Sequence, residues 1–324
     1  MLFLSAADVR ACLPCELALT VVEEALAIQE SGDFQMPDRL NVPCGGEGNI
    51  LLLMPCKTES ALATKLVTVF PGNRERNLPA IDGLVVLNDP HTGAVLAIMD
   101  GKSVTAIRTG AVTGVSVQHL APPDASGLGL IGCGVQAFDQ VRHACAVRPI
   151  ERVWLRSRNP SSVESLRARL AVELPQVEVR GARSIEEMMH ASQILITSTS
   201  AREPVLPDDP SLFEGKHCVA IGSFEADVRE YPDAIFRRTA KVWVDTPHAQ
   251  VESGELSQPL SSGLLQPQQI ETLGAHIASG VAPDRGQYGT TFFKSVGMAL
   301  FDLQTAGAVY DIARKNKIGT ELPS

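Results

Sequence analysis

The stretch Gly127-Leu-Gly-Leu-Ile-Gly-Cys-Gly-Val-Gln-Ala137 decides the fold, because an apolar run leads into a Gly-x-Gly-x-x-Ala turn suited to a dinucleotide pyrophosphate. Gly132 allows a tight turn out of a strand, and Gly134 lets backbone amides approach the phosphates. Ala137 allows the next helix to pack closely on the sheet, with its N-terminus towards the anion. The predicted cofactor contacts of this turn are Gly132, Gly134, Val135, Gln136 and Ala137.

The residues around this turn have the order strand, turn, helix, strand. Gln136–Val147 can form a helix, and a second strand begins at Val153. A site specific for NAD would place an acidic residue at the end of that strand, but the chain has Arg156, Ser157 and Arg158 there. These residues suit a 2′-phosphate and favour NADP(H), with NAD(H) possible. The alternative is that both arginines are ordinary solvated surface charges.

Composition narrows the class of protein. The chain has 324 residues, 44% of them hydrophobic, which is enough for two domains with separate cores. A formal net charge of -9 and the lack of a dense basic run argue against nucleic-acid binding, and no apolar stretch approaches a membrane span. Seven scattered cysteines favour a reducing compartment, and Met1–Ser5 lacks the start of a secretory signal. We therefore expect a cytoplasmic protein.

Alternating apolar runs predict two kinds of sheet. Ile50–Met54, Ala63–Phe70, Gly83–Asn88 and Val95–Met99 are separated by turn signals and predict a mixed sheet in a first domain. Beyond the glycine turn, apolar runs alternate with helix-like stretches, as a doubly wound sheet requires. The polar stretch 253–268 reads as a flexible surface connection. The fold class is therefore α/β, with a Rossmann-type doubly wound sheet plus a mixed α+β domain.

Three basic residues of the first domain could perform chemistry on a small carboxylate. Arg39 and Arg108 could clamp a carboxylate, because a guanidinium donates two parallel hydrogen bonds. Lys65 lies in a strand-like run, where an inward-facing charge would acquire a lowered pKa and could transfer a proton. Each also has an ordinary structural interpretation as a surface or loop charge. The seven histidines lack metal-site spacing, so we expect no metal.

Several motifs together resemble the ornithine cyclodeaminase/mu-crystallin family over nearly the whole chain. The resemblance implies a substrate-binding and dimerisation domain at 1–118 and 296–324, with a Rossmann dinucleotide-binding domain at 119–295 between these segments. It also implies a homodimer. The motifs that carry the resemblance are Met36–Arg39, Lys65–Asn73, Ala106–Ala111, Ile131–Ala137, Thr197–Thr199 and Phe293–Asp302.

The resemblance also implies roles for individual residues. Arg39 and Arg108 are expected to bind the substrate carboxylate, and Lys65 is expected at the reacting amine or imine. Thr109 is expected to contact a cofactor phosphate. The remaining cofactor contacts that the resemblance implies are Thr197, Thr199, Ser295 and Val296.

Two positions depart from the ornithine cyclodeaminases. Where those enzymes carry a catalytic aspartate, the motif Ile221–Glu230 has Phe224, and where they carry a glutamate in the strand before Met-Pro, this chain has Leu52. The distal ammonium of ornithine would then face two apolar groups, at a cost of several kcal/mol. Asp227 could replace the missing aspartate only if the alignment were shifted.

The leading hypothesis is therefore an NAD(P)H-dependent ketimine reductase for a small cyclic imino acid such as Δ1-pyrroline-2-carboxylate. Arg39, Arg108, Leu52 and Phe224 would line the substrate site and Lys65 would be catalytic. Three alternatives remain open: an ornithine cyclodeaminase, which would convert ornithine to proline and ammonia with NAD; an amino-acid dehydrogenase of the alanine dehydrogenase type; and a binding role without catalysis.

Overall fold

The computed structural model describes residues 1–46, 48–76, 78–223 and 225–323. The chain forms two compact units. Unit 1 consists of Met1–Arg108 together with Met298–Ser324, and unit 2 is Thr109–Gly297, so unit 2 is inserted into the chain of unit 1. The boundaries expected from the sequence, after residues 118 and 295, remain predictions.

The strands of both units are short. In chain order they are β1 (Leu2–Leu4), β2 (Leu40–Pro43), β3 (Ile50–Lys57), β4 (Leu62–Val69), β5 (Ile81–Asn88), β6 (Val95–Asp100), β7 (Gly127–Ile131), β8 (Arg152–Arg156), β9 (Glu178–Gly181), β10 (Ile194–Thr197), β11 (His217–Ala220), β12 (Thr239–Val244), β13 (Ile270–Thr272), β14 (Thr290–Lys294) and β15 (Thr320–Glu321).

The helices vary more in length. In chain order they are α1 (Ala6–Cys12), α2 (Cys15–Ser31), α3 (Gly101–Leu120), α4 (Ala137–Val147), α5 (Pro160–Glu173), α6 (Ile185–Ala191), α7 (Ala249–Glu252), α8 (Gly254–Ser261), α9 (Leu273–Ser279) and α10 (Ala299–Asn316). In the part of the chain that the structure describes, no helix is both long and apolar enough to cross a bilayer.

Unit 1 contains a mixed sheet of order β15-β1-β6-β5-β4-β3-β2. From β2 to β6, successive strands pair antiparallel, and β1 joins β6 in parallel. The apolar runs that predicted four strands coincide with β3 to β6, so the predicted mixed sheet is confirmed. Helices α2 and α10 pack together, and α10 covers β3, β4 and β5. The core of unit 1 lies between this helical layer and the sheet.

The opposite face of the unit 1 sheet is apolar and partly exposed. Leu66 lies opposite Leu84 on the neighbouring strand, and Ile98 lies opposite Phe3. Phe3 and Leu66 are each 38% exposed and Leu84 is 41% exposed. Side chains alternate along a strand, so this face is distinct from the one that carries Lys65. We call Phe3, Leu66, Leu84 and Ile98 the outer apolar face.

Unit 2 contains a parallel sheet of order β13-β12-β14-β11-β10-β7-β8-β9. The strand order reverses between β7 and β10, which is the topological switch point where dinucleotides bind in doubly wound sheets. The α/β fold class with a Rossmann-type sheet is therefore confirmed. The expectation of a flexible connection over 253–268 was wrong, because Ser253 caps α8 there and Glu255 is fully buried.

Candidate active site

Lys65 is a buried lysine on the helix-facing side of the unit 1 sheet. It lies in β4, opposite Met54 on β3 and Val85 on β5, and it is only 4% exposed. Its Nζ lies 2.8 Å from Oδ2 of Asp302 and 3.5 Å from Oγ1 of Thr105. Lysines are almost never fully buried unless they are paired, and here the carboxylate of Asp302 is the partner.

Asp302 connects Lys65 to Arg108. It lies in the first turn of α10, where a carboxylate is also favoured by the helix dipole, and it is 1% exposed. Its Oδ1 accepts a hydrogen bond from Nε of Arg108 at 3.1 Å. Asp302 ends the motif Phe293–Asp302, but the sequence pattern does not predict a role for it. The one available signal was an acidic residue on an otherwise apolar helix face.

The charges around Lys65 set its proton affinity. Burial, and to a lesser extent Arg108 and Arg39, lower the pKa of Lys65 to about 8 against the opposing carboxylate of Asp302. Burial raises the pKa of Asp302, but Arg108 and Lys65 outweigh it, so its net pKa lies below the ordinary value. At neutral pH Asp302 is therefore ionised, and Lys65 is close to the range in which it can both donate and accept a proton.

Arg39, Arg108 and Leu52 lie in the same unit as Lys65. Arg108 is 6% exposed and donates from Nε to Asp302, so its two terminal nitrogens take no part in that bond. Arg39 lies in the loop before β2 and influences the pKa of Lys65 electrostatically. Leu52 is buried on the same face of the sheet as Lys65. Unit 1 thus contains all three basic residues and one of the two apolar residues that the sequence predicted for the substrate site.

Two residues of this chain concern the catalytic aspartate that the cyclodeaminases carry and this chain lacks. Phe224 lies outside the described residues. Asp227 is described, and its side chain is 68% exposed and forms an ion pair with Arg202. Arg202 also lies 3.7 Å from Glu225. The carboxylate of Asp227 is therefore held at the surface of its loop.

The glycine turn of unit 2 has the geometry that a dinucleotide needs. Gly132 has a φ of 100°, and a Cβ there would lie 2.2 Å from the carbonyl oxygen of Ser198, so only glycine fits. Gly134 has no atom within 4 Å of its Cβ position, which leaves space for a phosphate. Gln136 precedes the first turn of α4, and Ala137 is fully buried. These features fit a pyrophosphate at a helix N-terminus. The side chain of Val135 is exposed beside the turn.

The residues at the end of β8 and just after it differ in their hydrogen bonds and in their exposure. Arg156 donates from Nη1 to the carbonyl oxygens of Ala182 and Arg183, both at 3.2 Å, and its own carbonyl oxygen accepts from the amide of Gly132 at 2.9 Å. Arg156 therefore supports the glycine turn and the end of β9. Ser157 is half-buried and Arg158 is exposed. Of the two arginines, Arg158 is the more exposed.

Two buried carboxylates hold four of the other predicted cofactor residues. Oε1 of Glu230 accepts from the amide of Thr199 at 2.6 Å, and Oε2 accepts from Oγ1 of Thr197 at 2.8 Å. Asp245 directly follows β12, and its carboxylate accepts hydrogen bonds from Oγ of Ser295 at 2.6 Å and from the amide of Val296 at 3.0 Å. Sequence reasoning missed both carboxylates because each lies far along the chain from the loop that it holds.

Thr109 is the remaining cofactor candidate. It is the first residue of unit 2, lies within α3 and is 6% exposed. No group of three or more histidine, cysteine, aspartate or glutamate residues with the arrangement of a metal site occurs in residues 1–46, 48–76, 78–223 and 225–323.

Known proteins resemble the chain over nearly its full length. The model of the family described as "Ornithine cyclodeaminase/mu-crystallin family" matches residues 1–317. A Delta(1)-pyrroline-2-carboxylate reductase of Bacillus cereus is 34% identical over 92% of this chain and 93% of its own length. The structure of the Thermococcus litoralis Delta(1)-pyrroline-2-carboxylate reductase in complex with NADH and L-proline matches with a TM-score of 0.92 and 33% identity, covering 99% and 100% of the two chains. An archaeal alanine dehydrogenase dimer with bound NAD matches with a TM-score of 0.89 and 27% identity, covering 100% and 99%.

Proposed function

Because the chain belongs to the ornithine cyclodeaminase/mu-crystallin family, we propose that it is an NAD(P)H-dependent ketimine reductase that acts on a small cyclic imino acid such as Δ1-pyrroline-2-carboxylate. The observation that carries this proposal is the buried cluster of Lys65, Asp302 and Arg108 beside the apolar Leu52. Two proteins that resemble the chain at 33% and 34% identity are reductases of this kind by name.

The charge of the cluster favours an anionic substrate. Arg39, Arg108 and a protonated Lys65 carry three positive charges against the single negative charge of Asp302, a net of about +2 among these four side chains. A carboxylate that enters beside them reduces the excess. We assign it to the terminal nitrogens of Arg108 and to Arg39, since guanidinium groups bind carboxylates bidentately.

Lys65 supplies the proton that the reaction needs. Reduction of a C=N bond adds a hydride to the carbon and a proton to the nitrogen, and bound NAD(P)H is the source of the hydride. Lys65, with a pKa of about 8, is mostly protonated near neutral pH and can donate to the substrate nitrogen. Once Lys65 has lost its proton, the carboxylate of Asp302 favours the return of Lys65 to its ammonium form.

The apolar residue at Leu52 argues against ornithine as the substrate. Leu52 is 8% exposed and lies on the face of the sheet that carries Lys65. An ammonium group against that side chain would lose its hydration without gaining a carboxylate, at a cost of several kcal/mol. The ring of a cyclic imine presents only methylene groups there. Phe224, at the position of the cyclodeaminase aspartate, adds a second apolar side chain and also favours a cyclic imine over ornithine.

We favour NADP(H) as the cofactor, with NAD(H) as the alternative. The glycine turn and the N-terminus of α4 would bind the pyrophosphate. The end of β8 offers Ser157 and the exposed Arg158 to a 2′-phosphate and has no acidic residue for a ribose hydroxyl. Arg156 would contribute indirectly, because its guanidinium already bonds two backbone carbonyls.

We also propose a homodimer joined through the outer apolar face of unit 1. An apolar row that includes Leu66 and Leu84 is unusual on the surface of a monomer and suits a second copy of the same sheet. The alanine dehydrogenase that shares 27% identity with the chain is described as a dimer.

Turnover by the purified chain tests the function. We expect NADPH or NADH oxidation that depends on Δ1-pyrroline-2-carboxylate, and we expect Lys65→Met to lower kcat by at least about a hundredfold. A lack of turnover with both this substrate and the six-membered homologue would contradict the proposal. Two further assays separate the alternatives: ammonia release from ornithine without net cofactor change would establish a cyclodeaminase, and NADH oxidation with pyruvate and ammonia would establish an alanine dehydrogenase.

A further inference from the structure

We propose that Glu230 is a positioning residue whose buried carboxylate joins the loops after β10 and β11 and thereby shapes the cofactor site. These loops leave the carboxyl ends of adjacent parallel strands, which is the edge where doubly wound sheets bind dinucleotides. The proposal rests on the cofactor part of the proposed function, because Thr197 and Thr199 are predicted cofactor contacts.

The carboxylate of Glu230 accepts hydrogen bonds from both loops at once. From the β10 side, the amide of Thr199 donates to Oε1 at 2.6 Å and the hydroxyl of Thr197 donates to Oε2 at 2.8 Å. From the β11 side, the amide of Gly222 donates to Oε2 at 2.7 Å. Glu230 is fully buried, so these bonds are not exchanged with water.

The two loops also touch directly where Glu230 joins them. A Cβ at Gly222 would lie 2.1 Å from the carbonyl oxygen of Thr199 and 2.7 Å from Oε1 of Glu230. Gly222 is therefore required for close approach of the two backbones. We call Glu230, Thr199 and Gly222 the loop junction.

A neutral amide cannot replace this carboxylate. Each oxygen of Glu230 accepts from a backbone N–H, and an amide nitrogen carries no acceptor. In Glu230→Gln, either Thr199 or Gly222 must therefore lose its acceptor. A buried N–H without an acceptor is unfavourable, so the loop that carries it will shift.

A second buried glutamate, Glu255, provides a matched control. Its carboxylate accepts from the backbone amides of Glu230, at 2.9 and 3.0 Å, and of Tyr231, at 2.8 Å. It also accepts from the hydroxyl of Ser223 at 2.7 Å. Both glutamates are fully buried, and the hydrogen bonds of Glu255 hold neither Thr199 nor Gly222. Glu255→Gln thus removes the same kind of bond from the same network, and it leaves in place the bonds that the amides of Thr199 and Gly222 donate to Glu230.

The experiment compares cofactor affinity in the full-length parent, Glu230→Gln and Glu255→Gln by fluorescence titration with NADPH and NADH, alongside the Tm of each. We expect both variants to lose stability. Only Glu230→Gln should weaken cofactor binding, by about tenfold, because one charge-assisted hydrogen bond amounts to about one order of magnitude in an equilibrium constant. In turnover, the KM for the cofactor should rise in Glu230→Gln while the KM for the imino acid changes little.

Parent-like affinity in Glu230→Gln, or equal weakening in both variants, would overturn the proposal, because Glu230 would then act only on stability. If Glu230→Gln does not fold, Gly222→Ala decides, measured below its own Tm: weaker cofactor binding supports the loop junction and parent-like binding overturns it. Absence of dinucleotide binding in the parent would instead contradict the proposed function itself.

Discussion

Replacement of Asp302 by asparagine should move the pH dependence of imine reduction to lower pH. The pKa of Lys65 is about 8, because burial, Arg108 and Arg39 lower it while Asp302 raises it. Across the 2.8 Å ion pair, the carboxylate favours the ammonium by about 1.5 kcal/mol in bulk water and about 6 kcal/mol at an effective dielectric constant of 20. These values correspond to about 1 to 4 pKa units, so a fall of at least about one unit is expected.

The direction follows from the proposed role of Lys65 as a proton donor. On this proposal the reaction requires protonated Lys65, so the rate should fall as pH rises through its pKa, about 8 in the parent. In Asp302→Asn the same fall should occur near pH 7 or below, by the shift of at least about one unit. The assay is kcat/KM for the cyclic imine from about pH 6 to pH 10. The titration of the substrate is common to parent and variant, so the difference reports the protein.

Thr105→Val is the matched control for this experiment. Thr105 contacts the same ammonium, at 3.5 Å, but carries no charge. Its replacement should move the profile by less than about half a unit. A profile of Asp302→Asn that coincides with the parent, or that moves to higher pH, would refute the assignment of Asp302 as the charge partner of Lys65. A separate check is stability, since two buried cations lose their shared anion at a cost of about 3 to 5 kcal/mol.

Three further experiments test the cofactor site and the proposed dimer. Arg158→Ala should weaken NADPH binding by about tenfold and change NADH binding by less than about twofold, since only NADPH carries the 2′-phosphate; equal effects in fluorescence titrations would contradict this. Gly134→Ala should keep the parent Tm but weaken both dinucleotides by at least about tenfold, whereas Gly132→Ala should also lower the Tm, because its Cβ would collide with the backbone after β10. Leu66→Asp should yield a monomer by light scattering, with Val172→Asp, at an 83% exposed position of unit 2, as control; an unchanged mass for Leu66→Asp would argue against the outer apolar face as the interface.

The local features of the fold could be predicted because they depend on residues close together in the chain. The alternation in β3 to β6 comes from side chains that point to opposite faces at successive positions, so that residues two apart share a face. Lys65 stood out for the same reason, because it occupies an inward position of an alternating strand. The glycine turn was recognisable because Gly132 needs a positive φ.

The partners of these residues could not be predicted, since they come from distant parts of the chain. Asp302 belongs to the chain segment that follows the inserted unit, whereas Lys65 precedes that unit, and no local pattern predicts their pairing. Glu255 was assigned to a flexible connection because its neighbours are polar. Its carboxylate is nevertheless fully buried, and it holds backbone amides of another loop. A buried hydrogen-bond network and a solvated loop have similar composition, so only tertiary contacts separate them.

The two-segment construction of unit 1 has a consequence for how the protein is made. During synthesis unit 2 is complete once Gly297 has emerged, whereas the sheet of unit 1 must wait for α10 and for β15, which pairs with β1. Until then Lys65 lacks the carboxylate of Asp302, and the face of the sheet that α10 covers is exposed. Unit 2 can therefore fold first on the ribosome, and unit 1 closes last. A nascent chain stalled before α10 should bind the dinucleotide and yet be unable to assemble the charge cluster of Lys65, Asp302 and Arg108 that we propose for proton transfer.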